Sequence, residues 1–370
     1  MSMQERKLTH LTAAGRFDIC SPGECIRFLS AAPCITYNRR AGGCGRILKV
    51  LLHGTCSYDC AYCAIRLQRE RLSFSPEELA ATFLGLWREG LVGGLFLSSG
   101  IPQDVDEVMH DIVETGEILR QRGYDGYLHL KVLPGAARAD IHDAARVANR
   151  ISINLETTSP DRLGSIAGVK DYRQDILKRQ AWVAEEKPGS HTTQVVVGAA
   201  DETDREILAC VADQYRRTRP ARIYFSAFRA LPGTPLASHP DTPGCLASHP
   251  DTPGWRARRW YQADHLLRDY GVSADELRAA LDEEGFFGNR DPKEVLAASS
   301  GPVNVNLAPR RDLLRVPGIG PKGADRILAM RRERPFTGPN DLKRAGLRGK
   351  AAGRCVTFGG RDTVQTRLFP

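Results

Sequence analysis

Short apolar segments alternate with helical segments from residue 46 to residue 228, and this alternation limits the chain to an α/β fold. The predicted strands are residues 47–52, 93–97, 127–133, 151–155, 193–197 and 222–228, with helical patterns at 76–89, 105–122, 139–148, 172–185 and 203–217. Strands that are joined through helices pair in parallel. The sequence therefore predicts a parallel α/β barrel or partial barrel, in which functional residues lie on the loops that follow the strands.

Positive charge is concentrated at the C-terminal end of the chain. The full sequence of 370 residues has a formal net charge of +8. Residues 301–370 contain 15 Lys and Arg and 5 Asp and Glu, a net charge of +10, so residues 1–300 keep 37 basic and 39 acidic residues and a net charge of −2. A compact basic segment on a near-neutral body favours a polyanionic partner such as nucleic acid. A solvated tail that aids solubility is the alternative.

Composition divides the sequence into four segments. We expect an irregular Cys-rich segment at 1–45, the strand–helix alternation at 46–235, a connector at 236–300 and the basic segment at 301–370. The connector begins with a tandem duplication, because LASHPDTPG occurs at 236–244 and again at 246–254. A loop that tolerates such an insertion is expected to be exposed. The repeated His239 and His249 are not expected to bind metal, because their Pro- and Gly-rich context gives no rigid scaffold.

Neither a membrane span nor a signal peptide is predicted. The longest apolar runs, such as 47–52 and 90–97, are strand-sized, and a membrane helix needs about 20 apolar residues. The N-terminal sequence MSMQERKLTH has a charged start and no apolar core, so we expect a cytoplasmic location. Seven of the ten cysteines lie between Cys20 and Cys63. Because disulfides are rare in the cytoplasm, this clustering favours metal or redox chemistry.

Cys56, Cys60 and Cys63 follow the first predicted strand with the spacing CxxxCxxC. Three thiolates on a short loop can bind three irons of a cubane cluster, which leaves the fourth iron open for a substrate. Zinc is the alternative, but structural zinc needs four protein ligands, usually in paired CxxC knuckles. A ferredoxin would also need a fourth cysteine nearby. The triplet therefore favours an iron–sulfur cluster that binds a substrate.

This segment resembles the radical SAM superfamily, whose signature CxxxCxΦC carries an aromatic residue before the last cysteine, here Tyr62. The resemblance covers about residues 46–236 and implies an α/β fold with a partial (β/α)6 barrel. It implies a 4Fe–4S cluster whose open iron chelates the amino and carboxylate groups of S-adenosylmethionine. It also implies an electron donor, because reductive cleavage of S-adenosylmethionine yields methionine and a 5′-deoxyadenosyl radical that abstracts a hydrogen atom.

The same resemblance implies S-adenosylmethionine contacts besides Tyr62. Ser98, Ser99 and Gly100 follow the second strand, where a glycine-rich turn meets the methionine amino group, although the acid that is usual in this turn is absent. Glu156 ends the fourth strand, where a polar residue contacts the ribose or the amino group. A plain strand-end carboxylate is the alternative for Glu156.

Three further positions follow predicted strands or lie within them. Gly198 comes after the fifth strand, where the resemblance implies that glycine lets the backbone approach the adenine. His129 and Lys131 lie on the third strand, and we expect them either to reach the cavity or to lie at the barrel rim.

Cys20, Cys25, Cys34 and Cys44 precede the triplet and form a possible second metal site. Four thiols are a complete ligand set for a second cluster or for zinc. Their spacing matches no known motif, so packed or incidental thiols are the alternative. A count of iron and zinc per chain distinguishes these cases.

The basic segment contains a helix-hairpin-helix pattern, which predicts a small all-α domain. Residues 303–320 read VNVNLAPRRDLLRVPGIG, and a second helix is predicted at 322–332. Asn306 is expected to cap the first helix, and Ile319 is expected to plug the core between Gly318 and Gly320. Backbone N–H groups at such a hairpin can hold a phosphate, and Lys322 adds a charge beside them. The segment resembles the DNA-binding helix-hairpin-helix family, which implies Gly318, Gly320 and Lys322 as DNA contacts.

Residues 336–354 resemble a paired repeat of that motif. Its hairpin reads AGLRG at 345–349, which departs from the sequence GIG. Weaker binding or a role in packing alone is expected for this half. Such domains contact the phosphate backbone and carry little sequence information. A protein-interaction or purely structural role is the alternative for the whole segment.

The combination of a radical SAM barrel with a C-terminal helix-hairpin-helix resembles a bacterial family of radical SAM proteins assigned to DNA modification or repair. The genes of that family accompany a gene for a uracil-DNA-glycosylase-like protein. The resemblance is carried by GLFLSSG at 94–100, DRLGSIAG at 161–168, VVVGAADETDREIL at 195–208 and RIYFSAFRALPGTPL at 222–236. It implies a radical SAM enzyme that acts on DNA, with that glycosylase-like protein as a candidate partner. The alternatives are an enzyme that modifies RNA, or a non-catalytic iron–sulfur protein that binds nucleic acid and senses redox state. The catalytic residues and the product are not predicted.

Overall fold

The structure is a computed structural model that describes residues 2–15, 25–26, 35–37, 46–67, 70–231, 233–236, 252–347 and 355–359. The chain divides into two compact units. The first unit comprises Met1–Glu202 and Asp213–Ala257, and the second comprises Thr203–Ala212 and Arg258–Pro370. None of the described helices has the length and apolar character needed to cross a bilayer.

The described strands of the first unit form one sheet with the strands in sequential order. They are β1 (Cys25–Ile26), β2 (Ile35–Tyr37), β3 (Arg46–Leu51), β4 (Gly94–Ser98), β5 (Tyr127–Lys131), β6 (Arg150–Ser152), β7 (His191–Val197) and β8 (Arg222–Ala227). Strands β1, β2 and β3 pair antiparallel, and β3 to β8 pair in parallel. The predicted parallel α/β half-barrel of six strands is therefore confirmed.

Helices connect the parallel strands and continue through the second unit. They are α1 (Met3–Ala14), α2 (Pro76–Arg88), α3 (Val105–Gln121), α4 (Arg138–Val147), α5 (Pro160–Ile166), α6 (Arg179–Glu186), α7 (Asp204–Arg217), α8 (Thr252–Tyr270), α9 (Ala274–Arg278), α10 (Pro292–Ser299), α11 (Arg310–Leu313), α12 (Pro321–Glu333) and α13 (Pro339–Arg344). A π-helical stretch, Tyr172–Lys178, leads directly into α6, and a short 3-10 helix spans Ala64–Leu67.

Local sequence explains where α2 begins and which face it buries. The Ser75 hydroxyl accepts from the Glu78 backbone N–H at 3.2 Å, and the Glu78 carboxylate accepts from the Ser75 N–H at 3.1 Å, which forms a capping box. Pro76 occupies the first helical position, where its missing N–H costs nothing. Leu79 and Phe83, four residues apart, are both fully buried. This apolar face packs α2 into the main hydrophobic core of the first unit.

The prediction that residues 1–45 are irregular is wrong for their first part. Residues 3–14 form α1, whose first turn is closed by a capping box between Ser2 and Glu5. Leu8 and Leu11 of this helix are buried in the main core. The apolar positions are too few for a clear helical pattern, so the helix depends on its cap and on tertiary burial. Strands β1 and β2 also lie within the segment predicted as irregular.

Strands β5 and β6 end earlier than predicted. The predicted strands extend to residues 133 and 155, whereas β5 ends at Lys131 and β6 ends at Ser152. Beyond these ends the chain leaves regular pairing, and Glu156 forms an isolated bridge with Val195 at a φ of 67°. A positive φ is uncommon outside glycine. The apolar residues after β5 and β6 therefore belong to loops at the carboxyl edge of the sheet.

The second unit has its own core around the predicted helix-hairpin-helix. Its buried members include Leu313, Ile319 and Ile327, so Ile319 plugs this core as predicted. Two short strands, β9 (Val303–Asn304) and β10 (Val356–Thr357), pair in parallel and add a small sheet to a segment predicted as wholly helical.

The prediction that Asn306 caps the first helix of this segment is wrong. The helix α11 begins after Pro309. The Asn306 amide group donates to the carbonyl oxygens of Phe336 and Phe358 at 2.9 Å each, and its oxygen accepts from the Phe336 N–H at 2.8 Å. The side chain therefore joins three segments of the second unit. A bond to residues 30 and 52 positions away leaves no trace in local sequence.

Candidate active site

The cysteine triplet lies on the loop that follows β3, at the carboxyl edge of the parallel sheet. The loop is fastened to its neighbour on the β4 side, since the Ser57 backbone N–H donates to the Ile101 carbonyl at 2.7 Å and the Ser57 hydroxyl donates to it at 3.0 Å. On the β5 side the Tyr58 hydroxyl donates to the Pro134 carbonyl at 3.3 Å. Loops after successive parallel strands meet at one edge, so these bonds follow from the topology.

A third set of bonds holds the loop on the side of α5. The Ala61 N–H donates to the Ile166 carbonyl at 2.7 Å, and the Val169 N–H donates to Asp59 Oδ1 at 3.3 Å. Between the last two cysteines, the Cys63 N–H donates to the Cys60 carbonyl at 3.1 Å and forms a tight turn. The segments after β4, β5 and β6 thus all contact the cysteine loop.

The turn Ser98–Ser99–Gly100 packs directly against the chain that leads into Cys56. The Gly100 N–H donates to the His53 carbonyl at 2.9 Å, and the His53 N–H donates to the Ser99 hydroxyl at 3.1 Å. A Cβ on Gly100 would coincide with the carbonyl group of Thr55. Glycine is therefore required here by close backbone packing, a reason that differs from the cofactor contact predicted from the sequence.

These elements surround a cavity of about 800 Å³. Of the residues predicted to hold the cluster or S-adenosylmethionine, those that line it are Cys56, Cys60, Cys63, Tyr62, Ser98, Ser99, Gly100 and Glu156. The structure thus gathers residues separated by up to 100 positions around one space. The volume suits a small organic ligand, because ligand cavities measure about 300–1,000 Å³.

The three cysteines have the chemistry that an iron–sulfur cluster requires. Cys60 is buried, and Cys56 and Cys63 are half-buried. Burial raises the pKa of Cys63 to about 12 and raises the pKa of Cys60 against the effect of Lys170, so these thiols keep their protons until a metal displaces them. Among the described residues, no three His, Cys, Asp or Glu side chains gather around a single metal position. A cubane does not need this, because each thiolate binds a different iron.

A buried ion pair joins Glu156 to Lys170 at the cavity wall. Lys170 Nζ lies 3.1 Å from Glu156 Oε1, and both side chains are less than 10% exposed. Burial lowers the pKa of Lys170, but the charge of the neighbouring Glu156 carboxylate outweighs this effect, so the pKa is raised overall. Glu156 Oε2 is buried without a hydrogen-bond partner. Because Glu156 lines the cavity, a donor group of a bound ligand can satisfy this acceptor.

Tyr62 shares this wall of the cavity. Burial, followed by the charge of Glu156, raises the pKa of the Tyr62 hydroxyl well above its usual value. Tyr62 is therefore a neutral hydroxyl at physiological pH, next to the last cysteine in the sequence and close to Glu156 in space.

Gly198 is not among the residues that line the cavity. It has a φ of 89°, and its N–H donates to the buried Glu202 carboxylate at 2.5 Å. Glu202 also accepts from the Ala200 N–H at 3.1 Å, and its own carbonyl accepts from Arg256 at 2.8 Å. The turn after β7 is thus built around the buried Glu202 carboxylate. The contact of Gly198 with adenine stays a prediction.

The two polar side chains on β5 have different environments. His129 is 1% exposed, contacts the Ser152 hydroxyl at 2.8 Å and packs edge-to-face on Phe96 at 4.5 Å. Burial, with Arg150 and Lys131, lowers its pKa well below the usual value. Lys131 lines the cavity, and its ammonium group donates to the Asn154 side-chain oxygen. Of the pair, only Lys131 faces the candidate site.

Sequence reasoning did not find several residues that line the cavity, namely Tyr58, Asn154, Lys170 and Gln194. The only available signal for Lys170 was its position two residues after the segment DRLGSIAG. Its contact with Glu156 depends on the path of the chain after β6. The upstream Cys20, Cys34 and Cys44 lie outside the described residues, as does the side chain of Cys25, so the second metal site stays a prediction.

The predicted nucleic-acid contacts lie together at the first hairpin of the second unit. Gly318 is exposed with a φ of 82°, which glycine adopts readily, and Gly320 is the N-cap of α12. Lys322 is exposed in the first turn of that helix. The first N–H groups of a helix have no intrahelical partner and carry a partial positive charge. This arrangement can hold a phosphate oxygen.

The second hairpin is closely packed against α12. A Cβ on Gly323 would lie 2.6 Å from Leu347 Cδ2, and a Cβ on Gly346, whose φ is 70°, would lie 2.5 Å from an Arg326 nitrogen. Ala345 and Leu347 are buried in the core of the unit. The described part of this repeat therefore packs against α12, the second helix of the first hairpin.

An α/β half-barrel with three cysteines on the loop after its first parallel strand is an arrangement that can hold an iron–sulfur cluster. Residues 50–213 match the family described as the Radical SAM superfamily. Residues 298–358 match the family described as the helix-hairpin-helix motif. The chain therefore contains a radical SAM domain, which marks it as an enzyme, and a C-terminal helix-hairpin-helix motif. The family of the domain implies a 4Fe–4S cluster and S-adenosylmethionine as cofactors.

Among solved structures, the FeFe-hydrogenase maturase HydG from Carboxydothermus hydrogenoformans matches with 12% identity and a TM-score of 0.41, over 47% of this chain and 42% of that chain. A second HydG structure, described as a maturase of the FeFe-hydrogenase, matches with 15% identity and a TM-score of 0.42, over 50% of this chain and 43% of that chain. The matches thus span less than half the length of those proteins. No curated protein sequence matches this chain.

Proposed function

We propose that this protein is a radical SAM enzyme that acts on nucleic acid, with DNA as the preferred substrate and modification or repair as its role. The observation that carries the proposal is the presence, in one chain, of the cysteine-lined cavity and the basic helix-hairpin-helix hairpin. The segment 46–235 would carry out the reaction, and the segment 301–370 would bind the nucleic acid. A cytoplasmic location and a uracil-DNA-glycosylase-like partner belong to the same proposal.

Cys56, Cys60 and Cys63 would hold three irons of the 4Fe–4S cluster. When bound, the cluster and S-adenosylmethionine supply a 5′-deoxyadenosyl radical, given one electron from an external donor. The protein supplies orientation and a site that excludes water. The bonds of Ser57, Tyr58 and Ala61 to the neighbouring loops keep the cysteine loop in place for this purpose.

Glu156 and Tyr62 would orient S-adenosylmethionine within the cavity. Glu156 Oε2 is a buried acceptor with no hydrogen-bond partner, so it can accept from the ligand amino group or from a ribose hydroxyl. Lys170 holds the other carboxylate oxygen at 3.1 Å and fixes the side chain. The neutral Tyr62 hydroxyl can donate or accept without adding charge. The turn at Ser98 and Ser99 adds hydroxyl groups to the same wall.

The hairpin would bind the sugar–phosphate backbone at Gly318, Gly320 and Lys322. Contacts to phosphate position a protein on nucleic acid without reading its sequence. A base inside a duplex cannot enter a cavity, so the target nucleotide would be flipped out or single-stranded. The net charge of +10 in residues 301–370 supports this partner.

Anaerobic incubation with S-adenosylmethionine and a low-potential reductant tests the chemistry. The purified, iron-reconstituted protein is expected to release 5′-deoxyadenosine. Cys56→Ala is expected to abolish the release, and Cys210→Ala, which removes a half-buried thiol from α7 rather than from the triplet, is expected to retain it. Equal amounts of 5′-deoxyadenosine from wild type and Cys56→Ala would favour a non-catalytic binding protein.

Binding to matched DNA and RNA probes across a salt series tests the substrate class. Deletion of residues 301–370 is expected to weaken binding and to reduce the salt dependence, because phosphate contacts release counterions. Tighter binding to RNA than to DNA of the same sequence would favour RNA modification. Mass spectrometry of nucleosides from cells with and without the gene then identifies the changed nucleotide.

A further inference from the structure

The first hairpin of the second unit has a neighbour that neither the motif nor its family match includes. Lys293 lies in the first turn of α10, five residues before the matched segment 298–358 begins. Its Nζ donates to the carbonyl oxygen of Ile319, the central residue of the hairpin, at 2.7 Å. A second ammonium group is thus brought to the hairpin that already presents Lys322.

Tyr270, the last residue of α8, holds Lys293 in this position. Lys293 Nζ lies 4.5 Å from the centre of the Tyr270 ring, a distance typical of a cation–π contact. The hydroxyl of Tyr270 lies 3.4 Å from the point that a Cβ on Gly320 would occupy. The hydroxyl of the tyrosine therefore lies beside the hairpin, and its ring contacts the lysine.

The ammonium group of Lys293 has hydrogen-bonding capacity beyond these contacts. An ammonium group has three N–H donors. One donates to the Ile319 carbonyl, and the group lies over the Tyr270 ring. Burial lowers the pKa of Lys293 to about 8, and Asp291 offsets this effect only in part. The charge is thus poorly solvated at neutral pH. An arriving anion gains more from such a cation than from a lysine surrounded by water.

We propose that Lys293 is a phosphate-binding residue of the hairpin, positioned by the Ile319 carbonyl and the Tyr270 ring, and that its ligand is a phosphodiester group of nucleic acid. The inference rests on the proposed function, since it assumes that the hairpin binds nucleic acid. It extends the binding site to two residues outside the helix-hairpin-helix motif. A purely structural role for Lys293, as a brace for the hairpin, is the competing explanation.

Binding of a short labelled DNA duplex to full-length variants tests the inference. Lys293→Met is expected to weaken binding about tenfold and to lower the slope of log affinity against log salt by about one. Lys343→Met removes the same charge from an exposed position on α13 and is expected to weaken binding about twofold. Lys293→Arg keeps a cation and is expected to restore most of the affinity.

Two outcomes separate this inference from the proposed function. If wild type binds DNA and Lys322→Met weakens binding, but Lys293→Met behaves like Lys343→Met, then Lys293 only braces the hairpin and the inference is wrong. If wild type binds neither DNA nor RNA, the proposed substrate itself is wrong.

A measurement on wild-type protein guards against misfolding of the variant. Acetylation of lysines with an amine-reactive reagent, read by mass spectrometry, is expected to be slowed at Lys293 by the DNA duplex. Lys187, a half-buried lysine of the first unit, serves as the internal reference and is expected to react equally with and without DNA. Equal labelling of Lys293 under both conditions would overturn the inference.

Discussion

The carbonyl group of Thr55 occupies the space that a Cβ on Gly100 would need. This contact joins the turn after β4 to the residue that precedes the first cysteine of the triplet. The absence of a side chain at Gly100 therefore sets how closely the cysteine loop approaches the neighbouring strand. Substitution here acts on the cluster site through the backbone.

Gly100→Ala is expected to displace the cysteine loop. The added methyl group meets backbone atoms, which cannot rotate away, so we expect a loss of about 1–3 kcal/mol in the free energy of unfolding. The iron content after reconstitution is expected to fall as well. Chemical denaturation and an iron assay measure the two effects.

Gly85→Ala is the matched control for that substitution. A Cβ on Gly85, within α2, meets no atom within 4 Å. Alanine is favoured over glycine in a helix by about 0.5–1 kcal/mol, so the control is expected to be stabilised with unchanged iron content. A wild-type iron content in Gly100→Ala would show that the contact does not control the loop.

The contributions of Lys170 and Glu156 to the free energy of unfolding are expected to depend strongly on each other, because the two side chains form a buried ion pair. Lys170→Met leaves the Glu156 carboxylate buried without its counter-charge, so we expect a loss of about 3–5 kcal/mol in the free energy of unfolding. Glu156→Gln is expected to cost a similar amount because Lys170 then lacks its partner. The double variant is expected to lose less than the sum of the two single losses. Additive losses, measured by urea denaturation, would contradict the pairing.

Asn306 is expected to be important for the second unit despite its position in a loop. Asn306→Ala removes the bonds to Phe336 and Phe358 and leaves their backbone groups unsatisfied. A loss of about 2–3 kcal/mol in the free energy of unfolding is expected. Asn340→Ala, at an exposed position on α13, is expected to change this free energy little. Faster amide exchange at Val305, whose N–H donates to the Thr357 carbonyl at 3.1 Å, in Asn306→Ala alone would locate the effect at the β9–β10 pair.

Lys293 is expected to make DNA binding depend on pH in the range from 7 to 9. Its pKa of about 8 lies below the usual 10.5, so the folded protein loses this charge as the pH rises through 8. Asp291 is the acidic neighbour that opposes this loss of charge, and burial raises the pKa of Tyr270 so that its hydroxyl stays neutral. Wild-type affinity for DNA is therefore expected to fall from pH 7 to pH 9, and that of Lys293→Met is not.

The same pKa has the opposite effect on folding stability. Between pH 8 and 10.5 the unfolded chain keeps the Lys293 proton that the folded chain has lost. The unfolded state then binds more protons, so the contribution of this group to stability rises with pH. Both predictions are tested by comparing wild type with Lys293→Met across this pH range. Fluorescence anisotropy measures the affinity for DNA, and thermal unfolding measures the stability. A parallel pH profile in wild type and variant would remove Lys293 as the cause.

The fold and the position of the cysteine triplet could be predicted because their signals are local. The alternation of apolar and helical segments defines the parallel sheet, and Cys56, Cys60 and Cys63 follow its first strand closely in the sequence. Helix α1 was missed because its stability comes from a cap and from burial of Leu8 and Leu11 rather than from a strong apolar pattern.

The contacts between distant segments could not be predicted. Lys170 meets Glu156 only because α5, which lies between them in the sequence, brings the chain back to the segment that follows β6. Asn306 has the residue type of a helix cap, and its actual partners lie 30 and 52 residues away. Contacts of this kind depend on the three-dimensional path of the chain. The residue types around one position in the sequence do not reveal that path.

The main chain of the cysteine loop makes two of the bonds that fasten it, from Ser57 to Ile101 and from Ala61 to Ile166. Main-chain atoms are the same for every amino acid except proline at the donor position. These two bonds therefore depend on the number of residues between Ser57 and Ala61 and not on the side chain at either position. Insertion of one residue between them would break this register, whereas exchange of Ala61 for any residue other than proline would leave its main-chain donor in place.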